Sequence, residues 1–282
     1  MLVASILVKM PELPEVETIA NGVHHRVRGA HILSVWTSGK PQTFKSPESE
    51  IEAVLTGAII ERVRRVGKTI VVSLQRDSGP AELLVHLGMT GRLLVAESDI
   101  PPPAHTHAIL TLADGRELRF VDPRRFGRLS VARLPEPAHA YAGPGTEPTT
   151  IDDVAFARLF HGRSIAIKAA LLNQNLLHGV GNIYADESLF RAGIRPRRPA
   201  GKLTRAELAR LRATLQQVLA RAIALGGSSV SDYVDAEGRS GYFQIEHHVY
   251  GRGGEPCKIC TTPISKIIVG GRGTHFCPTC QK

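Results

Sequence analysis

Four cysteines are set as two Cys-x2-Cys pairs, Cys257/Cys260 and Cys277/Cys280, with sixteen residues between the pairs, and all lie within the last 26 residues. No other stretch constrains the fold as much. Two such pairs place four thiolates around one tetrahedral Zn2+, which is metal spacing and not a secreted disulfide framework. Between the pairs, Ile264, Ile267, Ile268 and Val269 predict strand, and Gly270-Gly271-Arg272-Gly273 predicts a β-turn. One structural ion therefore clamps a hairpin with Arg272 at its tip. Four thiolates leave zinc no open position for water, so the ion is expected to staple the fold and take no part in chemistry.

Ahead of that hairpin the hydrophobic pattern changes twice. Residues 14–28 predict a helix, because Val16, Ile19, Val23 and Val27 form one apolar stripe. Glu15 and Glu17 sit in its first turn, where the helix dipole favours acids, and Gly29 ends it. From 30 to 134 the pattern is that of strands, at 31–35, 58–66, 69–74, 83–85, 92–95, 108–112, 117–120 and 128–131. Asp114-Gly115 is a tight hairpin signal. Count and spacing predict an antiparallel sandwich or barrel. Residues 135–148 are rich in Pro, Gly and Ala and read as a linker. The chain then turns helical, at 152–160, 165–177, 183–191 and 205–225. The last of these opens with Thr204 and Glu207 in capping-box positions and ends at Gly226-Gly227. Residues 228–250 are polar and contain glycine, which predicts a mobile loop as far as Gly241. The expected organisation is a leader at 1–9, a first domain at 10–134, a linker at 135–149, a helical domain at 150–250 and a metal hairpin at 251–282.

Lys and Arg number 35 against 26 Asp and Glu, a net charge of +9. That is the electrostatic footprint of a phosphate-binding protein. Residues 1–9 contain the apolar run Ile6-Leu7-Val8 but no positive start, and are too short for a signal or a membrane span. A cytoplasmic protein with no membrane partner is expected.

Residues 10–17, MPELPEVE, put a proline directly after a methionine and acids on the next turn. Pro11 and Pro14 suit a helix opening. A second reading is chemical. If translation starts at Met10 and that methionine is removed, Pro11 carries a free secondary amine. An α-amino group titrates near ~7.7–8.0 against ~10.4 for lysine, so much more of it is neutral at physiological pH. A neutral amine attacks a sugar or aldehyde carbon to form a Schiff base, and from a secondary amine the product is an iminium, an electron sink. Glu12 beside it can donate or accept a proton. An internal Pro11 has an amide nitrogen and cannot do this.

Other features carry chemistry less directly. Gly179 and Gly181 permit a tight backbone path into a helix beginning near Asn182, where exposed N–H groups bind phosphate. Lys168 interrupts the apolar run IAIKAALL, which snorkelling or a buried phosphate partner would explain. Lys68 follows Gly67 between two strands. Met89 lies in a glycine-flanked turn, where an apolar side chain has reason to be only if it inserts somewhere. Phe126 alone reads as core.

These motifs together resemble the bacterial formamidopyrimidine-DNA glycosylases, which excise 8-oxoguanine and ring-opened purines, and the resemblance runs from Met10 to Lys282. MPELPEVE matches the family's start, although here nine residues precede it. The resemblance implies an α+β multidomain fold: an N-terminal helix with an antiparallel β-sandwich, then a helix-two-turn-helix domain and a C-terminal zinc-finger hairpin. It implies Pro11, Glu12, Lys68 and Arg272 as catalytic residues, with Lys68 a proton donor in β-elimination and Arg272 assisting the second elimination. LLHGVGNIYADE, 176–187, resembles the element that grips phosphates flanking a lesion. Arg163 matches a DNA-binding lysine, and Lys168 and Asn182 join it as DNA contacts. His105, and to a lesser degree His86, become DNA-contact candidates. An enzyme that removes a base must first take it out of the stack, and apolar wedges with an arginine fill the gap. By resemblance Met89, Arg124 and Phe126 insert together, with Arg124 facing the orphan cytosine. Residues 228–241 resemble a flap over the flipped base, and Tyr242 after it a phosphate contact.

The implied function is base-excision repair of oxidised purines in duplex DNA, with lyase activity by β,δ-elimination, one zinc, no nucleotide cofactor and a monomeric chain. Three alternatives stay open. An endonuclease VIII-type enzyme would prefer oxidised pyrimidines. A zinc-containing damaged-DNA-binding protein with Pro11 internal would bind without cleaving. A structural or RNA-binding use of the basic surface would show no preference for damaged duplex.

Overall fold

The computed structural model describes residues 10–135, 140–228 and 241–282. The expected leader and most of the expected flap, 229–240, lie outside the described residues. The chain forms two compact units, one of residues up to 142 with 226–242, the other of 143–225 with 243–282.

The first unit opens with α1 (Leu13–Val27). Pro14 suits its first turn, and Glu12 at the cap donates its N–H to Glu15 Oε2 at 2.9 Å, satisfying a donor the helix start leaves open. Val16, Ile19, Val23 and Val27 are all buried, and Gly29, at φ +81°, turns the chain out. Eight strands follow: β1 (Ile32–Thr37), β2 (Ile59–Val66), β3 (Thr69–Gln75), β4 (Ala81–His86), β5 (Arg92–Glu97), β6 (Thr106–Leu112), β7 (Arg116–Val121) and β8 (Arg128–Arg133). They form two antiparallel four-stranded sheets, ordered β1-β6-β7-β5 and β2-β3-β4-β8. Alternate residues of each strand face one core. Ile60, Val63, Ile70, Val72, Leu83 and Val85 come from one sheet, and Leu93, Leu110, Leu118 and Phe120 from the other. All eight expected strands are present, as a sandwich.

A helix interrupts the strand region where none is expected, α2 (Glu48–Leu55). Pro47 starts it, Glu48 and Glu50 occupy its first turn, and Ile51, Val54 and Leu55 are buried. That spacing covers barely two turns, too short to stand out against period-two patterns on either side.

The second unit contains α3 (Asp153–Phe160), α4 (Ile167–Leu171), α5 (Asn182–Arg191) and α6 (Arg205–Ala224). Asp152 caps α3 by accepting from Ala155 N–H at 2.8 Å. The expected capping box on α6 is present: Thr204 Oγ1 accepts from Glu207 N–H, and Glu207 Oε2 accepts from Thr204 N–H at 2.8 Å. The helix expected over 165–177 is cut to the five residues of α4. Asn173 ends it, with its carbonyl accepting from Leu176 and Leu177 N–H and its side chain from Asn175 N–H. Short amides compete with helical bonding in this way. The chain closes with the hairpin β9 (Ser265–Val269) and β10 (Arg272–Phe276).

Candidate functional site

In the first unit, Pro11 is buried just before α1, outside any helix or strand. Glu12 is 5% exposed and Glu15 is 2% exposed. Glu15 was expected only to complement the helix dipole, but its Oε1 also accepts from Ser228 N–H at 2.7 Å. Gly227 has φ +81°, and a Cβ there would meet Glu15 Cγ and Oε1 at 2.9 Å. Glu15 therefore ties the stretch bearing Pro11 and Glu12 to the base of 226–242. Tyr242 bridges to Ser228 there and is 63% exposed.

Lys68 lies on the two-residue Gly67-Lys68 turn between β2 and β3, where Val66 pairs with Thr69 and Gly67 has φ +60°. Thr69 pairs in turn with His86 on β4. Burial first, then the Lys68 and Arg128 charges, push the His86 pKa below its ordinary value. Its Nδ1 accepts from Gly88 N–H at 3.2 Å, which marks it as a neutral ring with a set orientation. Met89 is half-buried in the turn after β4. Phe126 is 45% exposed, so it is not core, and the Arg124 guanidinium stands 4.7 Å from its ring centroid. A Cβ on Gly88 would meet the Phe126 carbonyl carbon at 2.5 Å, so the Met89 turn and the Arg124–Phe126 loop are in backbone contact. His105 is exposed with φ +66°.

In the second unit the turn into α5 is held by a residue that sequence patterns did not single out. Gln174 Oε1 accepts from Gly179 N–H, and its Nε2 donates to the Leu172 and Val180 carbonyls, each at 2.9 Å. Asn182 opens α5 and donates through Nδ2 to Gly273 O at 2.9 Å. Arg163 is exposed after α3, and its Nε donates to Leu159 O at 2.6 Å. Lys168 does not snorkel. It is fully buried, with Nζ 2.7 Å from Asp186 Oδ1, and it donates to Gly273 O at 2.9 Å and Thr274 Oγ1 at 2.7 Å. A carboxylate is the buried partner that its apolar run calls for. Arg272 is not at the hairpin tip. Gly270 and Gly271, both with positive φ, make a two-residue turn, and Arg272 is the first residue of β10, paired with Val269. Its side chain is exposed.

The four cysteine Sγ atoms lie within 4.8 Å of one another. Three pairs are 3.4, 3.4 and 3.9 Å apart, near the ~3.8 Å that tetrahedral Zn–S bonds of ~2.3 Å require. Hydrogen bonds from Thr262 hold the Cys260 thiol near 6. Burial and then the neighbouring sulfurs push Cys280 far up. One thiolate forms readily, while Cys277 and Cys280 are held as thiols unless a cation sits beside them, which fits a metal-binding set. Two buried acids of α5 moor the hairpin and the residues just before it. Asp186 Oδ2 accepts from His275 N–H at 2.8 Å, and Glu187 accepts from His248, Val249 and Tyr250 N–H at 2.9–3.0 Å. Burial by itself would raise the Glu187 pKa, but the His248 ring first, and then those backbone bonds, hold it below its ordinary value. Among the described residues, no helix is long and apolar enough to cross a membrane.

Three family models match: a formamidopyrimidine-DNA glycosylase N-terminal domain over residues 10–129, a formamidopyrimidine-DNA glycosylase H2TH domain over 143–234, and a zinc finger found in FPG and IleRS over 254–282. The formamidopyrimidine-DNA glycosylase of Thioalkalivibrio sulfidiphilus is 45% identical over 279 residues, covering 97% of this chain and all of the relative. A crystal structure of a Lactococcus lactis FPG mutant in complex with a Fapy-dG containing DNA matches with TM-score 0.87 and 35% identity, covering 96% of this chain and 100% of that one. The Lactococcus lactis Fpg in complex with an abasic site containing DNA matches with TM-score 0.85 and 35% identity, over 96% of this chain and 99% of that one.

Proposed function

The chain belongs to the formamidopyrimidine-DNA glycosylase family, and from that premise we propose that it excises oxidised purines from duplex DNA and then cleaves the strand through an amino-terminal proline. The carrying observation is the start of α1. The family model begins at Met10, and Pro11 enters the helix directly beside a buried Glu12 whose backbone is held by Glu15. With Met10 as the start and removed, residues 1–9 are not part of the mature chain, and the domains run 10–134, 150–250 and 251–282 around a linker at 135–149.

Pro11 attacks the sugar C1′, and the C1′–N bond to the damaged base breaks. Glu12, buried next to Pro11, protonates the sugar ring oxygen as the ring opens. The iminium then withdraws electrons, and β- and δ-elimination expel the 3′ and 5′ phosphates to leave a one-nucleoside gap. Lys68 and Arg272 assist these steps. Neutral His86 beside Lys68 accepts a hydrogen bond and does not add charge. His86, His105, Arg163, Lys168, Asn182 and Tyr242 serve DNA binding. Arg163, Arg272 and Tyr242 present exposed side chains for phosphates, whereas Lys168 acts from inside by holding the Gly273 carbonyl beside Arg272. Phosphate contacts make binding weaken steeply with salt. Met89, Arg124 and Phe126 fill the gap left by the flipped base. One Zn2+ on Cys257, Cys260, Cys277 and Cys280 supplies folding free energy to the hairpin. The reaction calls for no nucleotide cofactor and no second subunit, and belongs in the bacterial cytoplasm.

The test is the intact mass of the protein expressed from its own gene, followed by borohydride trapping on 8-oxoguanine DNA. A mass beginning at Pro11 with a cross-link at that residue supports the mechanism. A mass beginning at Met1 without trapping leaves only DNA binding. Faster excision of thymine glycol than of 8-oxoguanine in matched duplexes would favour the endonuclease VIII-type reading.

A further inference from the structure

Asp122 is fully buried between the Met89 turn and the Arg124–Phe126 loop. Its Oδ1 accepts from the Thr90 hydroxyl at 2.5 Å and from Arg124 N–H at 3.2 Å, and its Oδ2 accepts from Gly127 N–H at 2.7 Å. Its backbone N–H donates to His105 O at 3.0 Å. Its carbonyl lies 3.0 Å from His107 Nε2, and His107 Nδ1 lies 2.9 Å from Ser38 Oγ, which anchors the group to the sheet. Each of the first four partners is, or adjoins, a residue assigned above to the DNA: Thr90 follows Met89, Gly127 follows Phe126, and Arg124 and His105 are themselves on that surface.

We propose that Asp122 is a positioning residue. It joins the Met89 turn and the Arg124–Phe126 loop into one preorganised wedge, and so sets how strongly the protein discriminates the base opposite the lesion. The proposal rests on the reading above that these side chains enter the duplex. Three donors from two loops converge on one side chain, and only a carboxylate offers two acceptor oxygens for them. Side chains held in their working geometry before binding lose less freedom on entry. Without Asp122 the turn carrying Met89 and the loop carrying Arg124 would order separately, at the moment of insertion. The backbone agrees with a fixed unit, since a Cβ on Gly127 would meet the Phe120 ring at 2.5 Å and Asp122 Oδ2 at 3.1 Å.

The test uses the full chain in single-turnover excision of 8-oxoguanine opposite C and opposite A, with cleavage of single-stranded abasic-site DNA alongside. Asp122→Asn keeps the shape but turns an N–H₂ toward Gly127 N–H. Thr90→Val removes only the link to the Met89 turn. Asp122→Asn should slow excision opposite C about ten- to a hundredfold, flatten the preference for C over A, and change single-stranded cleavage by no more than about threefold. Thr90→Val should show the same selectivity at about three- to tenfold, and decides the matter alone if Asp122→Asn does not fold. Equal losses on all three substrates would mean a purely structural role and overturn the proposal. So would wild-type rates in both variants while Met89→Ala and Arg124→Ala are impaired. If Met89→Ala and Arg124→Ala also excise normally, the wedge reading itself fails and takes the proposal with it.

Discussion

Replacing Lys168 with Met should destabilise the second unit by about 3–5 kcal/mol, the usual cost of leaving a buried charge without its partner. Lys168 and Asp186 are 0% and 1% exposed, with Nζ 2.7 Å from Oδ1. That oxygen makes no hydrogen bond of good direction, so the contact is chiefly one of charge. Without the ammonium, Asp186 keeps His275 N–H as its donor among the described residues, Thr274 Oγ1 loses the Lys168 bond, and Gly273 O is left with Asn182 Nδ2. Asp186→Asn should cost less, about 2–4 kcal/mol, because the ammonium retains both acceptors on β10. In Lys168→Met with Asp186→Asn no charge is stranded, so the double variant should fall short of the sum by about 2 kcal/mol or more. Urea titrations of the four proteins, followed by far-UV circular dichroism at two salt concentrations, measure this coupling. It should hardly change with salt, because a buried pair is poorly screened. Additivity within about 0.5 kcal/mol would refute the claim that the two charges sustain each other.

Two further outcomes follow from local chemistry. Arg198 beside Glu207 draws that carboxyl from 4.5 to about 2, so its stabilising effect is whole above pH 4.5 and vanishes as pH falls through 2. Glu207→Gln should cost about 1 kcal/mol near neutrality after allowing for screening, with the gap to the parent closing in acid, as read by urea unfolding across pH; a gap constant with pH would contradict the linkage. Chelation should release about one Zn2+ per chain and abolish amide-exchange protection in β9 and β10, checked by emission spectroscopy and hydrogen exchange. A protected hairpin in metal-free protein would show that the cysteines are not its staple.

Local patterns were enough to read α1, the eight strands, the α6 capping box and the cysteine clamp, because each rests on neighbours within a few residues. The α4 overreach and the missed α2 have the same origin: over one or two turns, apolar spacing carries too little information to beat a competing asparagine or an adjoining strand. Lys168 was conspicuous in sequence as a charge in an apolar run, but its partner was not legible. Asp186 belongs to a different helix, and the Gly273 carbonyl is 105 residues away.

Sequence by itself determined the residue types on which the proposed chemistry rests: a proline and a glutamate at a helix start, a lysine on a tight turn, four thiols at metal spacing and an excess of positive charge. Family membership was legible for the same reason, since motifs are runs of adjacent residues. Tertiary structure alone decided which buried carboxylates receive donors from distant parts of the chain. Glu15 reaches Ser228 across 213 residues, Asp122 reaches Thr90 across 32, and Asp186 reaches His275 across 89. A carboxylate leaves water only where converging donors replace its hydration. Nothing in the spacing of residues along a chain reveals that convergence until the fold brings the donors together.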